Sequence, residues 1–115
     1  MAADWAECRA TTTLLDICCG TGTIGLMMAS RVGKVIGLEM VSSAIDDARE
    51  NARINHINNT VYICGKAEDT LQPALDAHAI TSDIVGIVDP PRAGLRMLSH
   101  LYDYIYRYHT PLLTQ

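Results

Sequence analysis

Residues 14–25 read LLDICCGTGTIG, and this stretch decides how the rest of the chain is interpreted. A run of β-forming residues ends at two cysteines and passes directly into the pattern G-x-G-x-x-G, formed by Gly20, Gly22 and Gly25. The first glycine allows a tight turn, the second lets the backbone approach a ligand, and the third lets a helix pack close to the strand. The stretch predicts a strand–turn–helix corner that binds a ligand; a tight turn without a ligand is the alternative.

The remainder of the sequence alternates between strand-like and helix-like segments. Such alternation predicts right-handed crossovers and a mainly parallel sheet, which is an α/β fold. Four strands are few for this class, so the chain is expected to be part of a larger domain. The predicted strands are residues 14–18, 34–39, 61–64 and 84–88, and the predicted helices are residues 23–30, a segment capped by Ser42 or Ser43, and residues 71–78.

Two prolines mark expected helix ends. Pro73 is tolerable in the first turn of a helix that starts at Leu71, and Pro111 is expected to end a helix in the tail. The tail, residues 96–115, has apolar residues at helical spacing and no pattern of a fifth strand.

Composition indicates one soluble globular domain at most. The chain has 115 residues, of which 49% are hydrophobic and 19% are charged. No apolar run is long enough to cross a bilayer, and residues 1–13 lack the pattern of a secretory signal. We therefore expect an intracellular location, with cytosol, nucleus and organelle matrix all open, and no membrane partner.

Charge and cysteine spacing exclude two further classes of site. The net charge of −4 is unsuited to gripping nucleic acid, so any basic surface for RNA is expected mostly elsewhere. Cys8, Cys18, Cys19 and Cys64 suit neither a disulfide framework nor a zinc pattern, and we expect buried free thiols and no metal site.

Acidic residues at other strand ends indicate which ligand the corner takes. Glu39 ends the second predicted strand, 19 residues after Gly20, where a carboxylate reaches a ribose diol; an ordinary exposed side chain is the alternative. A dinucleotide and S-adenosylmethionine both bind such corners. Asp16 favours the second, because it could orient the loop or the amino group of the cofactor. Ala67 and Glu68 follow the third strand, where an adenine ring would lie, although a helix N-terminus explains the carboxylate nearly as well.

The end of the fourth predicted strand carries the motif DPPRAGL, residues 89–95. It places Asp89 at a strand end, followed by two prolines that stiffen the turn. A nicotinamide-binding domain has no reason for this combination, whereas a methyltransferase must fix its substrate against the methyl group here.

With these motifs together, the chain resembles the RNA 5-methyluridine methyltransferases, and most of all the eukaryotic tRNA uracil-5 methyltransferases. The resemblance is carried by LLDICCGTGTIGL, VIGLE, AIDDARENARIN, GKAED and DPPRAGL, in the order and spacing of that family. It implies a Rossmann-like fold, S-adenosyl-L-methionine as cofactor, and methyl transfer to C5 of a uridine in tRNA.

The resemblance also assigns roles to individual residues. Cys18 and Thr23 would line the cofactor pocket, Glu39 would hold the ribose, and Asp89 would stand near the methionine moiety and the incoming base. Cys19 would turn into the core. The expected cofactor-binding set is Asp16, Cys18, Gly20, Gly22, Thr23, Glu39, Ala67, Glu68 and Asp89.

The catalytic residues of that family are missing from this sequence. C5 of uracil becomes nucleophilic only after a thiolate adds to C6, and a base then removes the C5 proton. The family carries this cysteine in a Ser-Cys-Asn-Pro motif and uses a glutamate farther on, and neither motif occurs here. We therefore expect no catalytic residue in this chain and no activity of these residues alone.

The expected organisation has three parts: residues 1–13 as the end of a preceding helix and lead-in, residues 14–95 as the core motifs, and residues 96–115 as a helix and divergent tail. The RNA substrate would be bound mainly by parts outside this chain. Two alternatives stay open: another nucleic-acid methyltransferase that uses the Asp-Pro-Pro turn, and a non-catalytic fragment that binds S-adenosylmethionine or a protein partner.

Overall fold

The computed structural model describes residues 8–17, 19–81, 83–88 and 112–114. Within them, five strands form one parallel sheet in the order β3-β2-β1-β4-β5. The strands are β1 Thr13–Ile17, β2 Lys34–Glu39, β3 Thr60–Cys64, β4 Ile84–Val88 and β5 Leu112–Thr114. The helices are α1 Thr23–Met28, extended by a 3₁₀ turn at Ala29–Arg31, α2 Ser42–Ile54 and α3 Ala67–Ala77.

The central strands are buried on both faces, because helices cover both sides of the sheet. Leu14 on β1 faces α1 and the 3₁₀ turn, whereas its neighbour Leu15 faces α3. Both are at most 1% exposed. This two-sided burial explains why the strands read as continuous apolar runs rather than as an alternating pattern.

The structure confirms the four strands predicted from the sequence and adds a fifth. β5 pairs in parallel with β4, with Gly86 opposite Leu112 and Val88 opposite Thr114. The prediction of no fifth strand was therefore wrong, because three residues are too few to show a strand period. The predicted tail helix, residues 96–111, lies outside the described residues.

Two predicted helix starts also differ from the structure. α3 begins at Ala67, four residues before the predicted Leu71, so Pro73 lies in the helix interior instead of its first turn. The carboxylates of Glu68 and Asp69 favour this earlier start, because anions stabilise the first turn of a helix. Neither Ser42 nor Ser43 caps α2: its N-cap is Val41, without a side-chain hydrogen bond.

A polar contact ties the segment before β1 to the start of β4. Asp83 has a φ of 54° and accepts hydrogen bonds from the hydroxyls of Thr11 and Thr12, the latter at 3.0 Å. The backbone N–H of Thr13 donates to the carbonyl of Asp83 at 2.9 Å. The Thr11 hydrogen bond lowers the pKa of Asp83, with smaller help from Thr12 and Arg9.

The outer side of β3 has no strand beside it among the described residues. The carbonyl of Asn59 and the N–H of Gly65 bond to β2, so the backbone groups of Tyr62 point away from the sheet. The guanidinium of Arg49 donates to the outward carbonyl of Tyr62 at 3.1 Å. A side chain of α2 therefore occupies part of this exposed edge.

Candidate functional site

The candidate site lies at the carboxyl end of β1, beside the carboxyl end of β2. β1 is flanked by β2 on one side and by β4 on the other. The chain runs outward from β1 through β2 to β3 and then returns to the opposite side of β1 at β4, so the strand order reverses at β1. Such a switch point is where parallel α/β sheets bind ligands.

The glycine corner between β1 and α1 is a tight turn that requires left-handed backbone. Gly20 and Gly22 have φ values of 56° and 82°. The N–H of Gly22 donates to the carbonyl of Cys19 at 2.9 Å, and the carbonyl of Gly22 accepts the N–H of Leu26 as α1 begins. A Cβ placed on Gly20 would meet no described residue within 4 Å, so the described part of the chain leaves this side of the corner open.

Gly22 and Gly25 are close to the protein itself. A Cβ on Gly22 would lie 3.0 Å from the Tyr62 hydroxyl and 3.1 Å from the Ala48 Cβ. On Gly25 it would lie 2.9 Å from Val35 Cγ1, which confirms the predicted close packing of helix and strand. The missing side chain of Gly22 thus serves packing against α2 and β3, and its approach to a ligand stays a prediction.

Glu39 contacts the corner directly, whereas its predicted role in holding a ribose stays a prediction. Its Oε1 accepts the N–H of Gly20 at 3.0 Å. Its Oε2 accepts the N–H groups of Met40 at 2.7 Å and Val41 at 3.2 Å. Asn51 of α2 adds a second contact to the corner, because its Nδ2 donates to the carbonyl of Thr21 at 3.2 Å.

Under the corner lies a row of three residues, of which Asp16 was predicted as a site residue and Gly37 and Tyr62 were not. Asp16 of β1 lies beside Gly37 of β2, and Gly37 lies beside Tyr62 of β3. A Cβ on Gly37 would be 2.6 Å from Tyr62 Cδ1 and 3.0 Å from Cys19 Sγ, so the tyrosine ring lies over β2. The glycine inside the strand was the available signal, since such a position indicates close approach of another group.

Burial sets the chemistry of this row. Asp16 is 3% exposed, and its Oδ2 would be 3.1 Å from a Cβ on Gly25. Its side chain therefore lies under α1, and its role in orienting the loop or the amino group of the cofactor stays a prediction. Tyr62 is 6% exposed, and burial raises the pKa of its hydroxyl, an effect that Thr60 partly opposes and that the charges of Cys19 and Asp16 reinforce.

Two exposed apolar residues follow Glu39 and were also missed. Met40 and Val41 are 57% and 55% exposed. They stand next to the carboxylate and across from the turn after β3, whose Gly65 N–H donates to the carbonyl of Glu39 at 2.9 Å. Exposed apolar side chains beside a polar group are typical of ligand pockets.

The remaining predicted residues have different outcomes. Thr23 is exposed at the start of α1, and its hydroxyl is 3.3 Å from that of Thr21. Ala67 is 4% exposed within the core, and Glu68 is exposed in the first turn of α3. Both lie at the expected edge of the sheet. Cys18 and Asp89, with the rest of residues 89–95, lie outside the described residues.

The described cysteines and acidic residues form no further centre. None of the described cysteines, Cys8, Cys19 and Cys64, forms a disulfide bond, and Cys19 packs against the core cluster of α2 as expected. The expectation of buried thiols was wrong for Cys64, which is exposed at the end of β3. Over residues 8–17, 19–81, 83–88 and 112–114, no group of three or more His, Cys, Asp or Glu could hold a metal ion. In the same part of the chain, no helix has the length and apolar character to cross a membrane.

Known proteins resemble this chain in sequence and in fold. A family model described as "Methyltransferase domain" matches residues 9–88. The tRNA (uracil-5-)-methyltransferase homolog A of Homo sapiens is 50% identical over 92 residues, which are 80% of this chain. The chain spans only 15% of the length of that relative.

Two solved structures share the fold. The tRNA (uracil-54, C5)-methyltransferase of Pyrococcus abyssi, in complex with S-adenosyl-L-homocysteine, has a TM-score of 0.63 and 29% identity, covering 85% of this chain and 23% of that chain. An rRNA methylase from Streptococcus thermophilus has a TM-score of 0.74 and 16% identity, covering 90% and 58%. These similarities confirm the predicted Rossmann-like methyltransferase fold and the predicted family resemblance.

Proposed function

Because the chain belongs to the methyltransferase domain family, we propose that it forms the S-adenosyl-L-methionine-binding portion of an enzyme that methylates C5 of uridine in tRNA. The observation that carries this proposal is the meeting of two predicted residues, Glu39 Oε1 and the N–H of Gly20, at 3.0 Å. The name of the human relative and the ligand of the archaeal structure support the substrate and the cofactor.

The residues at the corner fit an adenosyl ligand. The open side of Gly20 leaves room for one, and the Glu39 carboxylate can accept hydrogen bonds from ribose hydroxyls. Met40 and Val41 offer apolar surface to an adenine ring, beside Ala67 and Glu68. The rest of the proposed binding set is Asp16, Cys18, Gly22, Thr23 and Asp89. When bound, S-adenosyl-L-methionine supplies an electrophilic methyl group.

The described cysteines are placed poorly for attack on a base at the end of β4. Cys64 ends β3, which is three strand spacings from β4, or about 14 Å. Cys8 precedes β1, at the opposite end of the strands, and Cys19 is packed under the corner. This supports a nucleophile and a base supplied by polypeptide outside this chain.

We also propose that the substrate partner is RNA and that the location is intracellular. We further propose that the chain divides into residues 1–13, 14–95 and 96–115. The net charge of −4 supports an RNA contact made mainly by other parts of the enzyme.

Calorimetric titration with S-adenosyl-L-homocysteine, beside an assay of methyl transfer to unmodified tRNA, tests the proposal. We expect binding without transfer by these 115 residues. A folded protein that binds no S-adenosyl-L-homocysteine would overturn the cofactor assignment. Transfer by these residues alone would overturn the external nucleophile.

A further inference from the structure

The Glu39 carboxylate is already engaged by the protein before any ligand is considered. Three backbone N–H groups donate to it: Gly20 to Oε1, and Met40 and Val41 to Oε2, at 3.0, 2.7 and 3.2 Å. Hydrogen bonds to an ionised carboxylate are stronger than those between neutral groups. One side chain therefore joins two separate loops of the fold.

Among the described residues, a second side chain also joins the corner to α2, because Asn51 Nδ2 donates to the carbonyl of Thr21 at 3.2 Å. Gly20 belongs to the β1–α1 corner, whereas Val41 is the N-cap of α2 and receives no side-chain cap of its own. The free N–H groups at a helix start need an acceptor, and the carboxylate supplies one just before the helix. Gly20 lies in left-handed backbone and has open space on its other side.

We infer that Glu39 is a positioning residue, a brace that holds the glycine corner against the start of α2 in the ligand-free protein. A carboxylate offers about four lone-pair sites, and three are used by these N–H groups, which leaves capacity for a hydroxyl donor. If the proposed function holds, ribose recognition and corner geometry depend on the same side chain. A loss of affinity in a Glu39 variant then includes the cost of a loosened corner.

Amide hydrogen exchange in the ligand-free protein, read residue by residue, tests the brace with two variants. Glu39→Asp keeps the charge but is one methylene too short to span both loops. We expect exchange at the Gly20 amide to rise about tenfold, the effect of losing one charge-assisted hydrogen bond. In Glu39→Gln the side chain keeps one oxygen acceptor and cannot accept on both sides. Amide exchange should therefore rise either at Gly20 or at Met40 and Val41.

Internal amides and a charge-matched variant provide the controls. The Cys19 and Gly65 N–H groups donate to backbone carbonyls of β2, so their exchange should not change in Glu39→Asp. Asp47→Asn removes the same charge as Glu39→Gln from an exposed position of α2 and should leave Gly20 unchanged.

Wild-type exchange at Gly20 in both Glu39 variants would overturn the brace, as would an equal rise in Asp47→Asn. Neither result depends on S-adenosyl-L-homocysteine, whose binding is measured separately. Failure of the brace and failure of the proposed function are therefore distinguishable.

Discussion

Tyr62 reaches across a neighbouring strand because residue 37 has no side chain. The ring lies over Gly37, and its hydroxyl approaches Gly22 in the turn above. The sequence pattern places Glu39 and Gly20 at neighbouring strand ends, because Glu39 ends β2 and Gly20 lies just after β1. The contact between Tyr62 and Gly22 joins residues 40 positions apart, and only the register of three strands brings them together.

Alanine at the two corner glycines separates backbone strain from packing. Both residues have positive φ, where a Cβ costs about 1–2 kcal/mol. Gly20→Ala adds only this cost, since its Cβ meets open space, whereas Gly22→Ala also presses on Tyr62 and Ala48. We expect Gly22→Ala to lower the free energy of unfolding by about 1 kcal/mol more, measured by urea denaturation. Equal losses would contradict the packing role of Gly22.

Removing the Glu39 carboxylate should weaken binding of S-adenosyl-L-homocysteine. The loss of charge-assisted hydrogen bonds in Glu39→Ala is expected to cost roughly 1.5–3 kcal/mol, or about 10- to 150-fold in Kd by calorimetry. Asp47→Ala, at an exposed position of α2, serves as the control and should bind as wild type. Unchanged affinity in Glu39→Ala would count against the ribose assignment.

α3 was predicted correctly as a helix, but its first residue was predicted wrongly. Its four buried side chains pack on one face of the sheet, and three of them, Leu71, Ala74 and Leu75, lie within the segment predicted as helix. The predicted start was wrong because Pro73 favours a first turn, where its missing N–H costs no hydrogen bond. Two carboxylates at the N-terminus outweighed that signal, and the helix tolerates an interior proline.

Replacing that proline should stabilise the helix. Pro73 is exposed, so Pro73→Ala loses no buried contact, and alanine restores an N–H for the carbonyl of Asp69. We expect the free energy of unfolding to rise by about 1 kcal/mol or more. Thermal denaturation checks this through a higher Tm. A lower Tm would mean that the ring makes a contact that matters for packing.

The tie between β4 and the lead-in to β1 should depend on pH. The pKa of Asp83 is lowered on folding, so its carboxylate stabilises the fold above its unfolded pKa of about 3.9, and this contribution is lost as pH falls through the folded pKa. Asp83→Asn, which also tolerates positive φ, should be less stable by about 1 kcal/mol at pH 7. The difference between the two proteins should shrink as pH falls below about 4 and vanish below the lowered pKa of Asp83 in the folded protein. A difference that persists there would exclude the charge as its source.

The whole molecule is a parallel sheet whose topology follows from the order of strands and helices along the chain. Four strands are visible as apolar runs because helices bury both faces. β5 could not be predicted in this way, because Leu112–Thr114 is too short for a strand pattern and is recognised only by its pairing with β4. The proximity of the glycine corner and Glu39 is predictable once the sheet is known to be parallel, because the carboxyl ends of parallel strands lie at the same edge.

The Arg49 hydrogen bond on the outer carbonyl of Tyr62 bears on how copies of the protein behave at high concentration. An unpaired edge strand can form hydrogen bonds with a strand of another chain. A guanidinium that donates to one of the edge carbonyls hinders this pairing, and its positive charge repels a second copy. Arg49→Met should therefore form more soluble oligomers than wild type, as measured by light scattering. Arg31→Met, which removes an exposed arginine of the 3₁₀ turn after α1 instead of one on α2, should scatter like wild type. Equal scattering by both variants would show that the Arg49 guanidinium does not hinder self-association.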